Sequence, residues 1–144
     1  MIALIQRVSS ASVTVNQEVV AEIDQGLLTF VGMLAIDQSK DATRLVQRIL
    51  GYRVFSDQAG KMNLNVVQVS GSILMVPQFT LAADTQKGMR PSFGPALDPE
   101  LAEPLFDQMV QKLSEVVPVK SGIFGADMAV SLINDGPATF WLET

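Results

Sequence analysis

The chain contains no cysteine and no histidine. Without cysteine there can be no disulfide, thiol nucleophile or Cys-ligated metal or iron–sulfur centre. Without histidine there is no Ser-His-Asp triad, no imidazole base and none of the common zinc patterns. Positive charge is also in short supply: 10 Lys and Arg stand against 15 Asp and Glu, a net charge of −5. This argues against charge-driven binding along nucleic acid, which needs many cation–phosphate contacts, but it leaves room for recognition of a single nucleotide end in a small pocket. Leu27 to Ile36, the longest nearly unbroken apolar stretch, is too short to span a bilayer. The first residues, Met1 to Arg7, carry no basic region ahead of their apolar ones, as a signal peptide would. A soluble, cytoplasmic protein is expected. Any catalysis falls to carboxylates, hydroxyls, Lys, Arg, amides, backbone dipoles or the substrate itself, and no tight acidic motif suggests a Mg²⁺ site.

What is present describes one domain over residues 1–144. The content is 48% hydrophobic and 17% charged, which suits a packed core. Alternation predicts strands at Ile2–Val8, Ala11–Val15 and Val19–Ile23, with Asn16-Gln17 as a hairpin turn between the last two. After Gly26, Leu27–Leu34 reads as a buried strand. Ala42, Leu45, Val46, Ile49 and Leu50 form one apolar stripe on a helix over Ser39–Leu50, capped by Asp37 or Ser39 and ended by Gly51. Tyr52–Ser56 reads as a strand, Asp57–Gly60 as a turn and Ile73–Val76 as a buried strand that must end, bulge or lie at an edge at Pro77. Polar Gln78 and Thr80 then alternate with Phe79 and Leu81. Ala82–Pro95 is a loop that places Lys87 and Arg90 close together, suited either to solvent or to a phosphate. Asp98-Pro99 opens a second helix striped by Leu101, Leu105, Met109 and Leu113, in which Pro104 marks a bend or a late start. Val119–Phe124, Met128–Ile133 and Thr139–Leu142 read as closing strands. With no βα repeat, Walker loop or GxGxxG, the expected fold is α+β: mainly antiparallel, with two main helices.

Asn134-Asp-Gly-Pro-Ala-Thr139 lies between the last two of these strands. Its composition is turn chemistry, and on its own it allows two readings. One is a plain hairpin turn. The other is a rigid Gly-Pro corner presenting carbonyls to a ligand, where the missing Gly side chain permits close approach and a cis bond would fit. Arg7 likewise reads either as a solvated rim residue or as an Arg locking a loop by charged hydrogen bonds.

Several stretches taken together resemble the D-aminoacyl-tRNA deacylases. They are Gln78-Phe-Thr-Leu81, Lys87-Gly-Met-Arg-Pro-Ser-Phe93 and Phe124 through Asn134-Asp-Gly-Pro-Ala-Thr139, joined by Ile5-Gln-Arg-Val8, Gly51-Tyr-Arg-Val-Phe-Ser-Asp57 and Lys61-Met-Asn-Leu-Asn65. The resemblance covers essentially the whole chain. It implies a homodimer with a β-barrel-like α+β fold and no metal or organic cofactor. The implied partner is aminoacyl-tRNA, met at its 3′-terminal aminoacyl-adenosine, with no membrane involved. The implied reaction is hydrolysis of the ester of a D-amino acid on the terminal adenosine, and of glycine mischarged on alanine tRNA. By position, Gly136-Pro137 matches the family's Gly-cis-Pro corner, inserted into the neighbouring subunit's pocket. Gln78, Phe79 and Thr80 match the catalytic strand end, with Phe79 and Thr80 N–H groups stabilising the oxyanion. Phe124 and Met128 match the adenine pocket; without the resemblance both read as core residues. Arg7 resembles the residue that steadies the corner. Thr80 offers a hydroxyl nucleophile, but with no His beside it, water attack assisted by the substrate 2′-hydroxyl is preferred.

The chain departs from the family's pattern at Pro77, where Ser is usual, so that a hydroxyl and an N–H are lost from the pocket edge. Ala138 replaces a usual Val, and Gly94–Leu97 lacks a lysine often found there. The alternative function is therefore a catalytically weakened tRNA-end or nucleotide-binding homodimer. A structural or protein-interaction domain with an ordinary Gly-Pro turn is the third reading.

Overall fold

Two adjacent apolar runs, Leu27-Leu28 and Ile73-Leu74, carry the central strands, and in each run successive side chains enter different cores. A computed structural model describes residues 1–144. Because side chains alternate across a strand, Leu27, Ile73 and Met75 join a core shared with the helices, while Leu28, Leu74 and Val76 join a second core on the opposite face. A strand covered on both faces loses polar alternation and reads as a continuous apolar run.

The strands are β1 (Ile2–Val15), β2 (Glu18–Ile23), β3 (Gly26–Gly32), β4 (Phe55–Ser56), β5 (Met62–Leu64), β6 (Ser72–Pro77), β7 (Val119–Ser121) and β8 (Ala129–Glu143). The helices are α1 (Ser39–Gly51) and α2 (Pro99–Ser114). β1 pairs antiparallel with β2, β3 and β8, and the small pair β4–β5 is antiparallel too. β3–β6 and β6–β7 are parallel. The α+β, barrel-like, mainly antiparallel expectation holds, with parallel pairs that alternation did not signal. Parallel neighbours need a crossover, and here α1 lies between β3 and β6 and α2 between β6 and β7.

Asn16 and Gln17 both have positive φ, 50° and 69°, which matches the right-handed twist of the expected β1–β2 hairpin. Helix α1 follows the expected stripe, with Ala42, Leu45 and Ile49 fully buried. Its start differs: the Gln38 N–H donates to the Asp41 carboxylate at 2.9 Å. Asp37 is occupied elsewhere, accepting from the Leu34 N–H at 2.6 Å and from the Met1 ammonium at 2.6 Å. In α2 the Asp98 carboxylate caps the Glu100 N–H at 3.0 Å, and Pro104 sits inside one continuous helix. The strands expected at Tyr52–Ser56 and Val119–Phe124 shorten to β4 and β7: the Val54 carbonyl accepts from Arg7 and the Phe124 ring packs against Phe106. Asp57 organises the expected turn: its carboxylate accepts from the Ala59 and Lys61 N–H groups and from Asn63 Nδ2. The Lys61 backbone bond, then the Asn63 bond, hold its pKa below the ordinary carboxylate value.

Two expectations near the site change. β6 ends at Pro77, one of the outcomes expected of a proline there, while the alternating residues after it are not strand: Phe79–Ala82 is a 3₁₀ turn. Its seat is Gly32, where an added Cβ would lie 2.8 Å from Leu81 Cβ and 3.0 Å from Gln78 O. Nor do Met128–Ile133 and Thr139–Leu142 form two strands around a hairpin. They are one strand, β8, paired along β1 on both sides of Gly136-Pro137.

Leu74 is fully buried in the second core, which Met128 and Val130 also pack against. Leu74→Ala is expected to lower unfolding free energy by about 2–5 kcal/mol, read from urea midpoints at unchanged m-value.

Candidate active site

A cavity of about 380 Å³ opens where the parallel strands β3 and β6 end. Val31 and Met33 reach it from β3 and the residue just past it, and Val76 and Pro77 from β6. The carboxyl ends of parallel strands are a general place for ligands in α/β sheets, because the crossovers diverge there. Leu97, Pro99 and Ala102 close one side from the start of α2; Phe124 to Met128 and Val130 close the other. The wall is mostly apolar, with Gln78 and Asp127 as its polar side chains. A wider groove of about 840 Å³ between β2 and β8 is lined by Ser10, Ser12, Glu22, Asp24 and Lys120 among others, and it holds none of the residues marked from sequence.

Five marked residues therefore meet in one cavity: Pro77, Gln78, Phe79, Phe124 and Met128. Phe124 is held by buried Phe106, ring centroids 6.3 Å apart. Met128 packs over Gly122, where an added Cβ would lie 2.6 Å from its sulfur. Pro77 does not tear the strand end, since the Gln78 N–H donates to Val31 O at 2.7 Å and resumes the pairing. The Gln78 amide then donates to Thr80 Oγ1 at 2.6 Å. Thr80 itself is exposed beside the cavity. The first hydrogen bond of the 3₁₀ turn runs from the Leu81 N–H to Gln78 O at 3.2 Å. The Phe79 and Thr80 N–H groups therefore have no acceptor within the turn, as at any helix start.

Gly136 and Pro137 lie outside this cavity. Along β8, Gly136 is six residues beyond Val130, roughly 15–20 Å at strand rise. Their peptide bond is cis. Opposite the single residue Arg7, β8 carries Asp135 to Ala138, so the corner is a large bulge with Gln6–Thr139 and Val8–Asn134 paired on either side. Arg7, only 9% exposed, follows the locking reading: Nε donates to Asp135 O at 2.8 Å and Nη1 to Val54 O at 2.5 Å. A Cβ on Gly136, whose φ is +135°, would lie 2.6 Å from Arg7 Nη2. Sequence reasoning missed the inner brace. Asn134 Oδ1 accepts from the Ala138 N–H at 2.7 Å, and Asn134 Nδ2 and Gln6 Nε2 both donate to Thr139 Oγ1. An Asx-type side chain four residues before an N–H was the available signal. It also missed the cavity's α2 side, because Leu97, Pro99 and Ala102 carry no chemistry that marks them.

No three or more Asp or Glu side chains gather where they could hold a metal ion.

The cavity is mostly apolar, the Phe79 and Thr80 N–H groups at its edge have no acceptor within their turn, and the chain around it holds neither imidazole nor thiol. The family model described as D-Tyr-tRNA(Tyr) deacylase matches residues 4–143, and the chain belongs to that family. Among curated relatives, a D-aminoacyl-tRNA deacylase of Pasteurella multocida (strain Pm70) is 59% identical over 143 residues, 99% of each chain. One from Dichelobacter nodosus (strain VCS1703A) is 57% identical over 144 residues, again covering 99% of each. A solved structure titled c-Myc DNA Unwinding Element Binding Protein superposes with TM-score 0.96 at 38% identity, covering 100% of this chain and 99% of its own. A probable eukaryotic D-amino acid tRNA deacylase superposes with TM-score 0.88 at 16% identity over 99% of this chain and 98% of its own, a likeness of fold.

Arg7→Ala leaves the Asp135 and Val54 carbonyls without this donor. Unfolding free energy is expected to fall by about 1–3 kcal/mol, and Arg7→Lys to restore it only in part, because an ammonium lacks the planar fork. Chemical denaturation of the three proteins checks this.

Proposed function

We propose that this chain hydrolyses the ester joining a D-amino acid to the 3′-terminal adenosine of tRNA. The observation that carries the reading is the convergence of Gln78-Phe79 and Phe124–Met128 on one cavity, in a chain of the deacylase family. The adenine lies between Phe124 and Met128. The ester carbonyl faces the start of the 3₁₀ turn, where the Phe79 and Thr80 N–H groups receive the negative charge as the carbon becomes tetrahedral. Water attacks, assisted by the substrate's 2′-hydroxyl, and Gln78 orients the Thr80 hydroxyl beside it. Such donors contribute more to the transition state than to the ground state, so they raise turnover.

Discrimination comes from a second copy. The corner lies far along β8 from its own cavity, and the outer edge of β8 is unpaired over 15 residues, with Ile133 and Trp141 exposed. An uncovered edge of that length favours pairing with another chain. In a homodimer the Gly136-Pro137 carbonyls enter the partner's cavity and leave no space for an L side chain. D-amino acids and glycine pass, the latter including glycine mischarged on alanine tRNA. Exclusion of this kind is specificity by steric repulsion. The cytoplasm is where such a substrate is met; no helix is long and apolar enough to cross a membrane.

Pro77 motivates the second reading, a binding dimer with weakened turnover. The resumed pairing at Gln78 favours the view that residue 77 shapes the strand end.

The test is hydrolysis of matched D-tyrosyl- and L-tyrosyl-tRNA in buffer with chelator. Loss of the D ester alone is expected; no loss of either ester from folded protein would sink the enzyme reading. Pro77→Ser is expected to change the rate by less than about 10-fold, and a gain well beyond that would favour the weakened-dimer reading. Thr80→Ala should retain substantial activity if the backbone does the work, since removal of one true oxyanion donor costs about 10²–10³ in kcat. Gly136→Ala, which pushes a methyl against Arg7 and strains a positive φ, should blur the D/L discrimination. Unchanged discrimination and rate in that variant would remove the corner from the mechanism.

A further inference from the structure

At the mouth of the cavity two aromatic rings face solvent together. Phe79 is 58% exposed and Phe93 41%, with centroids 5.0 Å apart and planes tilted by 59°. Exposed Phe is costly, and here two are held in place. Phe79 opens the 3₁₀ turn seated on Gly32. Phe93 follows a loop closed by reciprocal backbone bonds between Asp84 and Ser92, at 2.8 and 3.0 Å. That loop carries Lys87 and Arg90, both exposed and neither in an ion pair. From Thr85 to Leu97 there is no carboxylate, in a chain of net charge −5.

Exposed aromatic faces beside unpaired cations are the combination that holds single-stranded nucleic acid, bases on the rings and phosphates on the cations. We infer that Phe79 and Phe93 form a stacking platform for the nucleotide preceding the terminal adenosine of an RNA 3′ end, with Lys87 and Arg90 taking the adjoining phosphates. The inference rests on the reading that the cavity takes that adenosine. A strand whose last base is buried there must leave through the mouth, where its next base is pulled from its neighbour and meets Phe79. Stacking on a ring is indifferent to base identity, so the platform grips a single-stranded end without reading its sequence.

The probes are adenosine 5′-monophosphate and the dinucleotides cytidylyl-adenosine, uridylyl-adenosine and adenylyl-adenosine, titrated against the native protein by calorimetry. All three dinucleotides are expected to bind about 10-fold more tightly than the monophosphate. In Phe93→Ala that gap should shrink to about 2-fold or less, and Phe93→Leu, which keeps apolar bulk without a ring face, should do the same. Arg90→Gln should flatten the dependence of log affinity on log salt by about 0.7 for the dinucleotides. Equal binding of monophosphate and dinucleotides by the native protein overturns the inference. So does a Phe93→Leu variant that weakens both alike, which would make Phe93 a prop for the cavity wall. Sedimentation showing that Phe93→Leu dissociates an assembly would assign the rings to a second copy and overturn it too. Failure of the native protein to bind even the monophosphate would overturn the cavity assignment itself, and this inference with it.

Discussion

Between Gln6 and Val8 the two longest strands fall out of step, and one guanidinium fills the gap. Four residues of β8 arch over the single residue Arg7, whose side chain is folded into the arch and donates to Asp135 on one side and to Val54, ahead of β4, on the other. A bulge this large leaves ladder groups unpaired, and an unpaired buried carbonyl is expensive. Arg7 supplies donors that the missing strand partner cannot. Arginine suits the position because its planar fork reaches two carbonyls at once while staying charged. Asn134 and Thr139 close the arch from within, so the Gly136-Pro137 corner is held by side chains on both of its faces.

The same strand links this corner to the cavity. β8 places Val130 on the cavity wall near its start and carries the corner at its middle, so placement of the two is tied to one stretch of backbone. Since β8 is paired with β1 on both sides of the corner, the corner cannot fold back onto its own cavity without breaking the sheet. In the proposed function it is a second copy that brings the two features together. The parallel crossovers add the other half of the site. They bring the ends of β3 and β6 side by side, and the 3₁₀ turn that follows Pro77 turns two N–H groups away from the ladder.

The helix stripes, the hairpin at Asn16-Gln17 and the buried central strands were legible in the sequence, because periodicity reports which face of a segment is covered. The excluded chemistries were legible from composition alone. The motif residues were readable as a resemblance, but their proximity was not. Phe124 and Met128 look like core residues in isolation, and both are half-buried on a cavity wall. Arg7 looks like a rim residue by base tendency, and it is buried because a bulge 128 residues further along the chain needs donors.

What the sequence determined by itself was local: where strands and helices form, where proline and glycine interrupt them, and which reactive groups the protein must do without. Tertiary structure decided the parallel direction of β6 and β7, the continuity of β8 through a stretch of turn residues, and the gathering of Pro77, Gln78, Phe79, Phe124 and Met128 around one cavity. The division has a physical cause. Turn propensity in Asn134–Thr139 is a weak local preference, whereas pairing of β8 with β1 on both sides of it adds many hydrogen bonds and buries Ala138 and Leu142. Long-range pairing therefore overrides the local preference, and only the folded chain shows the result.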